Sequence, residues 1–108
     1  LPHFALHVPR TVEEAIEAKR AASPDASYVA GGTDLWPNMK RRHQEPPEVV
    51  ALHAVADLDG IHNREDGGLD LGATATLDAI ARDRRVRERY PAVAATMRRA
   101  RAGKACRV

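Results

Sequence analysis

Residues 27–42 have the sequence SYVAGGTDLWPNMKRR, in which an apolar run, two glycines and a second apolar pattern follow one another. The short apolar run at 27–30 predicts a strand, and the glycine pair Gly31–Gly32 ends it. Apolar residues at 35, 36 and 39 then predict a short helix that runs to about Arg42. Ligands of open α/β sheets bind where a strand ends and a helix begins, so this junction is the first place to look for a site.

Two further elements precede this stretch. Phe4, Leu6 and Val8 occupy every second position, which predicts a short strand with these three side chains on its buried face. His3 and His7 would then lie on the outward face, too far apart along the strand to bind one metal ion. Thr11 and Glu14 form a capping box that opens a helix over 11–22.

We expect Val12, Ala15, Ile16 and Ala22 to form the inner face of that helix. A strand, a helix and the interior strand at 27–30 suggest a βαβ unit with a right-handed parallel pair.

The rest of the chain predicts smaller elements. Residues 49–52 form a third buried strand, and 54–60 contain one helical turn closed by Gly60. Residues 61–71 have the pattern of a hairpin that turns at 66–68, Thr76 caps a helix over 77–83, and further helices follow with a break before Pro91. The predicted fold class is α+β, with short parallel strands, a βαβ unit, a hairpin and C-terminal helices.

The glycine pair suits an anion. Glycines let the backbone approach a ligand, successive amides form an anion-binding concavity, and a following helix adds partial positive charge. Thr33 offers a hydroxyl to a phosphate oxygen, and Asp34 suits a helix cap or a sugar hydroxyl. The alternative is a tight strand-to-helix turn without a ligand. The stretch is neither a G-x-G-x-x-G fingerprint nor a P-loop, which disfavours a conventional dinucleotide fold.

Several motifs in one order carry a family resemblance. They are TVEEAIEAKRAASPDASYV (11–29), AGGTDLWPNMKRR (30–42), VVALHAVADLDGI (49–61) and GGLDLGATATLDAIARD (67–83). Together they resemble the N-terminal part of the FAD-binding subunits of molybdenum hydroxylases, a family that includes xanthine dehydrogenase and carbon monoxide dehydrogenase. GTDLWPNMKRR most resembles the 4-hydroxybenzoyl-CoA reductase branch, in its beta subunit.

The resemblance implies a cofactor, a site and partners. The cofactor is FAD, and the loop around its pyrophosphate comprises Val29, Ala30, Gly31, Gly32, Thr33, Asp34 and Leu35. The implied fold has two α+β subdomains with the flavin between them, and this chain matches the first. The implied activity is electron transfer between FAD and iron–sulfur clusters on a small subunit, with the molybdenum cofactor on a large subunit. The cofactor carries the redox chemistry, so no catalytic side chain is expected here.

The sequence also departs from the family. After YPAVAATM the family continues to a second motif, Thr-x-Gly-Gly-Asn, whereas this chain has RRARAGKACRV (98–108). We therefore expect a divergent or truncated end and an inactive isolated chain. Because one loop leaves most of a flavin exposed, we also expect weak FAD binding or none. A single cysteine, Cys106, cannot hold the extra four-cysteine cluster of the benzoyl-CoA branch.

Charge and composition add a domain division and an alternative function. Residues 1–81 hold 7 Lys/Arg and 13 Asp/Glu, a net of −6, and residues 82–108 hold 10 and 2, a net of +8, which together give the chain's +2. We expect an FAD-binding subdomain over 1–81 and a basic helical segment over 82–108. The alternative is a non-catalytic module whose basic helices bind an acidic protein or nucleic acid. No aromatic residue follows Tyr90 to stack on bases, which disfavours nucleic acid.

Location and secondary candidates complete the expectations. One cysteine and no apolar run of roughly 20 residues favour the cytoplasm over a membrane or an oxidising compartment. The small-residue turn at 72–76 is either a helix cap or a support for the flavin. Trp36 is either an anchor for its helix or a stacking partner for a ligand. The remaining polar residues favour surface or capping roles: His43, His53, His62, Asp57 and Asp59.

Overall fold

The computed structural model describes residues 3–32 and 35–103, with side chains described as far as residue 100. The described strands are β1 (Ala5–His7), β2 (Ser27–Val29), β3 (Glu48–Ala51), β4 (Ile61–Asn63) and β5 (Leu69–Leu71). The described helices are α1 (Val12–Ala21), α2 (Leu35–Lys40), α3 (Leu77–Arg82), α4 (Arg84–Arg89) and α5 (Pro91–Gly103), with a 3-10 turn at Ala56–Leu58. This mixture confirms the α+β class.

The parallel sheet has the order β1-β3-β2. Both outer strands run parallel to β3, with Leu6 opposite Val49 and Val29 opposite Ala51. The parallel orientation of β1 and β2 agrees with the predicted crossover. The expected interior position of residues 27–30 is wrong, because β3 inserts between β1 and β2 and leaves β2 at an edge. The third strand, almost entirely buried, takes the central place.

The predicted inner faces of the first two elements are also wrong in part. Leu6 is 54% exposed, Val8 46% and Ile16 48%. Alternation correctly marks a strand, but β1 is an edge strand, and an edge strand has a neighbour on one side only. In α1, Ala15 alone is buried. His7, expected to face outward, is half-buried, and its Nε2 donates to Glu48 Oε2 at 2.8 Å.

Helix caps follow the predicted chemistry. Thr11 accepts from the Glu14 N–H at 3.0 Å, and Thr76 accepts from the Ala79 N–H at 3.0 Å. The return bond of the first capping box shifts by one residue, since Glu14 Oε2 accepts from the Arg10 N–H instead of that of Thr11. These bonds satisfy amides that a helix start leaves without a partner.

Among the described residues, part of the buried side chains form two clusters. The sheet cluster comprises Val29, Val49 and Ala51, with Phe4, Leu35 and Trp36 packed against it. The helix cluster comprises Ala75, Ile80, Val86 and Ala94, with Ile61, Leu69, Val93 and Met97 packed against it. The expected division at residues 81 and 82 falls inside α3, and it stays a proposal.

The hairpin is fastened to the helices by two arginines of α4. Arg85 donates to the Ile61 carbonyl at 3.0 Å, and Arg89 donates to the Gly67 carbonyl and to Asn63 Oδ1. The turn itself closes as predicted, because the Arg64 N–H donates to the Gly68 carbonyl at 2.9 Å and Gly67 has a φ of +89°. No helix in the described part of the chain is long and apolar enough to cross a bilayer.

Candidate functional site

The predicted loop leaves the sheet at the carboxyl end of β2. Val29 is 5% exposed, and its carbonyl accepts from the Leu52 N–H at 2.9 Å. Leu35, at the start of α2, packs against the sheet cluster. Val29 and Leu35 therefore fix the two ends of the loop, and a ligand would meet the backbone between them. Thr33 and Asp34 lie outside the described residues.

Gly32 has its own structural reason to be glycine. Its φ is +77°, and a Cβ built on it would lie 2.1 Å from Trp36 Cδ1. The Trp36 ring stacks on the Phe4 ring with centroids 5.7 Å apart. The backbone N–H of Trp36 donates to the Gly32 carbonyl at 3.1 Å. Trp36 thus anchors its helix, which was one of the two predicted roles, and the bare backbone at Gly32 makes room for its indole.

The amides of the loop differ from those of the neighbouring strand in their hydrogen bonding. Ala30, Gly31 and Gly32 lie beyond the end of β2, and their N–H groups donate to no backbone carbonyl of residues 3–32 and 35–103. Gly31 is half-buried and Gly32 is buried. Polar backbone groups shielded from water normally have a partner, so amides without an acceptor among the described backbone carbonyls suit an acceptor that comes from outside the chain.

The small-residue turn after β5 is held by the 3-10 turn. The Gly72 N–H donates to the Gly60 carbonyl, and both the amide and the hydroxyl of Thr74 donate to the Leu58 carbonyl at 2.9 Å. A Cβ on Gly72 would lie 2.1 Å from the Leu58 oxygen. Thr74 is 7% exposed. Its polar groups are therefore used inside the protein, and Thr76 is a helix cap.

A small cleft joins the glycine loop to this second turn. It measures about 80 Å³ and is lined by Ala30, His53, Asp59 and Thr74. The sequence pattern around His53 and Asp59 predicted surface or capping roles and contained no link between these residues and the loop. The signal that connects them is the register of β2 and β3: Val29 lies opposite Ala51, so continuing the count places Gly31 opposite His53.

The shifted carboxyl pKa values lie away from the loop. A hydrogen bond from His7, helped by the Ser23 N–H, lowers the pKa of Glu48 at the amino end of β3. Hydrogen bonds from the Arg85 side chain lower the pKa of Asp83, and the Gly68 N–H lowers that of Asp66. Over the described part of the chain, no group of three or more His, Cys, Asp or Glu side chains is arranged to hold a metal ion.

Comparison with known proteins identifies the family of the chain. Residues 2–107 match the family described as the FAD binding domain in molybdopterin dehydrogenase. The chain belongs to this family. It is 32% identical over 94 residues to the carbon monoxide dehydrogenase medium chain of Hydrogenophaga pseudoflava, covering 86% of this chain and 32% of that protein. It is 32% identical over 89 residues to the xanthine dehydrogenase FAD-binding subunit of Escherichia coli O157:H7, covering 82% of this chain and 30% of that one.

A solved structure agrees with these relatives. Reconstituted CO dehydrogenase from Oligotropha carboxidovorans superposes with a TM-score of 0.81 at 29% identity, over 90% of this chain and 34% of that chain. The family assignment from the sequence motifs is thereby confirmed. The chain spans about a third of the length of the relatives that it matches.

The geometry of the loop fits the phosphate part of FAD. The amides at 30–32 lack backbone acceptors in the described structure, and φ at Gly32 bends the chain at the end of a parallel strand. The helix that follows, α2, has six residues, so its dipole contributes little to this fit. Beside the second turn, a hollow of about 650 Å³ borders Leu58, His62, Leu71 and Gly72. Its size is in the range of ligand sites.

Proposed function

We propose that this chain binds FAD through residues 29–35, as the FAD-binding part of an oxidoreductase of the molybdenum hydroxylase kind. The observation that carries the proposal is the set of amides at Ala30, Gly31 and Gly32 without backbone acceptors in the described structure. The family match supports the choice of FAD over other phosphate ligands.

Each part of the loop has a separate task in this proposal. The amides of Gly31 and Gly32 donate to diphosphate oxygens, and Thr33 adds a hydroxyl. Asp34 caps the following helix or accepts from a sugar hydroxyl. Val29 and Leu35 hold the ends of the loop through their packing on the sheet cluster. When bound, FAD supplies hydride and single-electron chemistry, and the chain binds and orients it.

We further propose the partners implied by the family. Electrons pass between FAD and iron–sulfur clusters on a small subunit, and the molybdenum cofactor lies on a large subunit in the cytoplasm. Two relatives support this view by name, because one is a medium chain and the other an FAD-binding subunit. Substrate then reacts on the molybdenum subunit. Co-expression with candidate subunits, followed by affinity purification, tests the assembly.

The family member is a finer proposal, which rests on the resemblance of residues 32–42 to the beta subunit of 4-hydroxybenzoyl-CoA reductase. In that case electrons flow inward from FAD to remove a phenolic hydroxyl; in xanthine- or CO-oxidising members they flow outward. Assaying the purified complex for 4-hydroxybenzoyl-CoA reduction, xanthine oxidation and CO oxidation separates these activities. Turnover of xanthine or CO without 4-hydroxybenzoyl-CoA reduction contradicts the finer proposal.

The alternative of a basic interaction module receives less support from the geometry. Many of the arginines in α3 and α4 have partners within the chain: Arg82 pairs with Asp78, Arg84 with Glu88 and Arg85 with Asp83. Arg87, Arg98 and Arg99 are exposed, and none forms an ion pair with another described residue. If the chain is instead such a module, nucleic-acid binding should fall steeply as salt rises.

An amide-resolved titration tests FAD binding directly. In ¹H–¹⁵N spectra of the 108-residue chain, FAD should shift the amide signals of Gly31 and Gly32 more than those of the hairpin. A charge-matched pair sharpens the test: Gly31→Asp places a carboxylate beside the diphosphate and should abolish the shifts, whereas Gln44→Asp in an exposed loop should retain them.

The measured affinity tests two points separately: that the isolated chain binds FAD weakly, and that it binds FAD at this loop. Because one loop leaves the flavin largely open to water, we expect dissociation constants on the order of micromolar or weaker. Sub-micromolar affinity contradicts the expectation of weak binding. The absence of any shift at Gly31 and Gly32 at millimolar FAD contradicts the proposed site.

A further inference from the structure

His53 lies where the sheet brings the central strand beside the glycine loop. Val29 of β2 is opposite Ala51 of β3, and the Leu52 N–H continues the ladder by donating to the Val29 carbonyl. His53 is therefore one residue beyond the ladder, at the level of Gly31. Neighbouring strands lie about 4.8 Å apart, so this level puts the imidazole within reach of the loop. The shared cleft with Ala30 is consistent with that placement.

The other groups that line the cleft cannot donate to an anion. Ala30 is apolar, and the Thr74 hydroxyl already donates to the Leu58 carbonyl. Asp59 is anionic, and its Oδ1 accepts from the Gly60 N–H at 2.9 Å. In the described part of the chain, His53 is thus the single side-chain donor of this cleft.

The imidazole of His53 is uncommitted. His7 donates to Glu48, and His62 Nε2 lies 3.0 Å from the Asp59 carbonyl oxygen. His53, in contrast, forms no hydrogen bond or ion pair with another described residue, and it is exposed. Such a side chain can turn toward a ligand without breaking an existing contact.

We infer that His53 is a phosphate-binding residue, which donates a ring N–H to the diphosphate held by the Gly31 and Gly32 amides. This inference rests on the proposed FAD site and adds a binding residue to it. A neutral imidazole supplies one donor, and a protonated imidazole supplies two donors and a charge, so protonation strengthens the contact. The ring shares its cleft with three segments: the loop at Ala30, the end of the 3-10 turn at Asp59, and the turn at Thr74. Asp59 is ionisable, and so is His62 of β4, which contacts the Asp59 carbonyl oxygen.

The measurement is FAD affinity at about pH 5.5 and about pH 8, either side of the histidine range. The FAD diphosphate is a diester and keeps its charge over this interval. Fluorescence titration of the whole chain should give about 3- to 10-fold tighter binding at the lower pH. His53→Gln should bind at both pH values as weakly as the unaltered chain does at the higher one. His43→Gln, an exposed histidine in another loop, should behave like the unaltered chain.

Two further arms localise the effect. His53→Lys keeps a positive charge at both pH values, so its affinity should stay high and lose its pH dependence. Riboflavin, which lacks the diphosphate, should leave the His53 ring signal in the ¹H–¹³C spectrum unmoved, whereas FAD should move it. FAD binding whose pH dependence persists in His53→Gln, or is missing from the unaltered chain, overturns the role of His53 alone. Failure to bind FAD at either pH overturns the proposed function together with it.

Discussion

At the scale of single residues, the two adjacent glycines of the loop, Gly31 and Gly32, have different roles. Gly32 takes a positive φ and lies against the Trp36 indole, while Gly31 presents an amide without a backbone acceptor in the described structure. The two glycines are equivalent in the sequence, but in the fold Gly32 is required for packing against Trp36. Substitutions at Gly32 therefore report on stability before they report on ligand binding.

Gly32→Ala should destabilise the protein by about 2–4 kcal/mol, because a β carbon in the left-handed region is strained and would also displace Trp36. The matched control is Gly67→Ala, where φ is +89° and no atom lies within 4 Å of the built Cβ. It should cost about 1–2 kcal/mol from backbone strain alone. Urea unfolding measures both, and equal losses contradict the role of Trp36.

The hydrogen bonds of Glu48 should make the stability of the folded protein depend on pH in the acid range. Its pKa lies below the ordinary value of 4.5, chiefly because of the hydrogen bond from His7 and then because of the Ser23 N–H. A lowered pKa in the folded state contributes stability that is complete above pH 4.5 and is lost as pH falls through the lowered value.

Urea midpoints measured from about pH 6 to about pH 3 should therefore fall less steeply in Glu48→Gln than in the unaltered chain. Glu65→Gln, an exposed residue of the hairpin turn, is the control and should keep the full slope. Identical slopes in all three proteins would show that the His7–Glu48 bond does not persist in solution.

At the scale of elements, the end of α2 shows how the helix after the loop is terminated. The His43 N–H donates to the Asn38 carbonyl at 2.8 Å, and the Arg42 N–H donates to the Met39 carbonyl at 3.1 Å. Arg42 has a φ of 60°. This bond pattern is the Schellman motif, in which the left-handed residue is usually glycine.

Arg42→Gly should therefore stabilise the protein by about 0.5–1 kcal/mol, because relief of left-handed strain exceeds the added unfolded-state entropy and the loss of an exposed ion pair to Glu45. Arg41→Gly, one residue earlier, lacks that strain to relieve and should be neutral or destabilising by up to about 1 kcal/mol. Thermal unfolding compares the two. A lower melting temperature for Arg42→Gly than for Arg41→Gly rules out this end for α2.

Most elements were predictable because they depend on local chemistry. Caps at Thr11 and Thr76, the hairpin turn at 66–68 and the break before Pro91 each need a few neighbouring residues. The edge position of β2 and the exposure of Leu6 were not predictable, because sheet order depends on which strand pairs with which, and β3 comes later in the chain.

At the scale of the whole molecule, the chain is an open slab with two cores. Its radius of gyration is 15.5 Å, above the roughly 13 Å of a compact domain of this length. The described elements fall in two groups. In one, β1–β3 pack with α1. In the other, α3–α5 pack together, and the hairpin β4–β5 is attached to them through Ile61, Leu69 and the hydrogen bonds of Arg85 and Arg89. Beside the His53 cleft, Thr74 bonds to Leu58 of the 3-10 turn and Gly72 bonds to Gly60, so the turn after β5 is tied to the segment between β3 and β4.

Val86→Ala should loosen one group more than the other. Val86 is 1% exposed in the helix cluster, and truncation there should cost about 2 kcal/mol. In native-state hydrogen exchange, amides of α3–α5 should lose protection while those of Val50 and Ala51 in β3 keep most of theirs. An equal loss in both groups shows a single cooperative unit.

The linear sequence was sufficient to predict the local features of this protein: its turns, its helix caps, the strand–loop–helix stretch at 27–42 and the family motifs. These features need the covalent neighbourhood and the hydrogen-bonding capacity of each residue, both of which are present in the linear chain. Only the folded structure shows that β3 is central, that Gly32 accommodates Trp36 and that His53 lies beside Ala30. Those relations join residues far apart in sequence, and only the choice of strand partners brings them within contact distance.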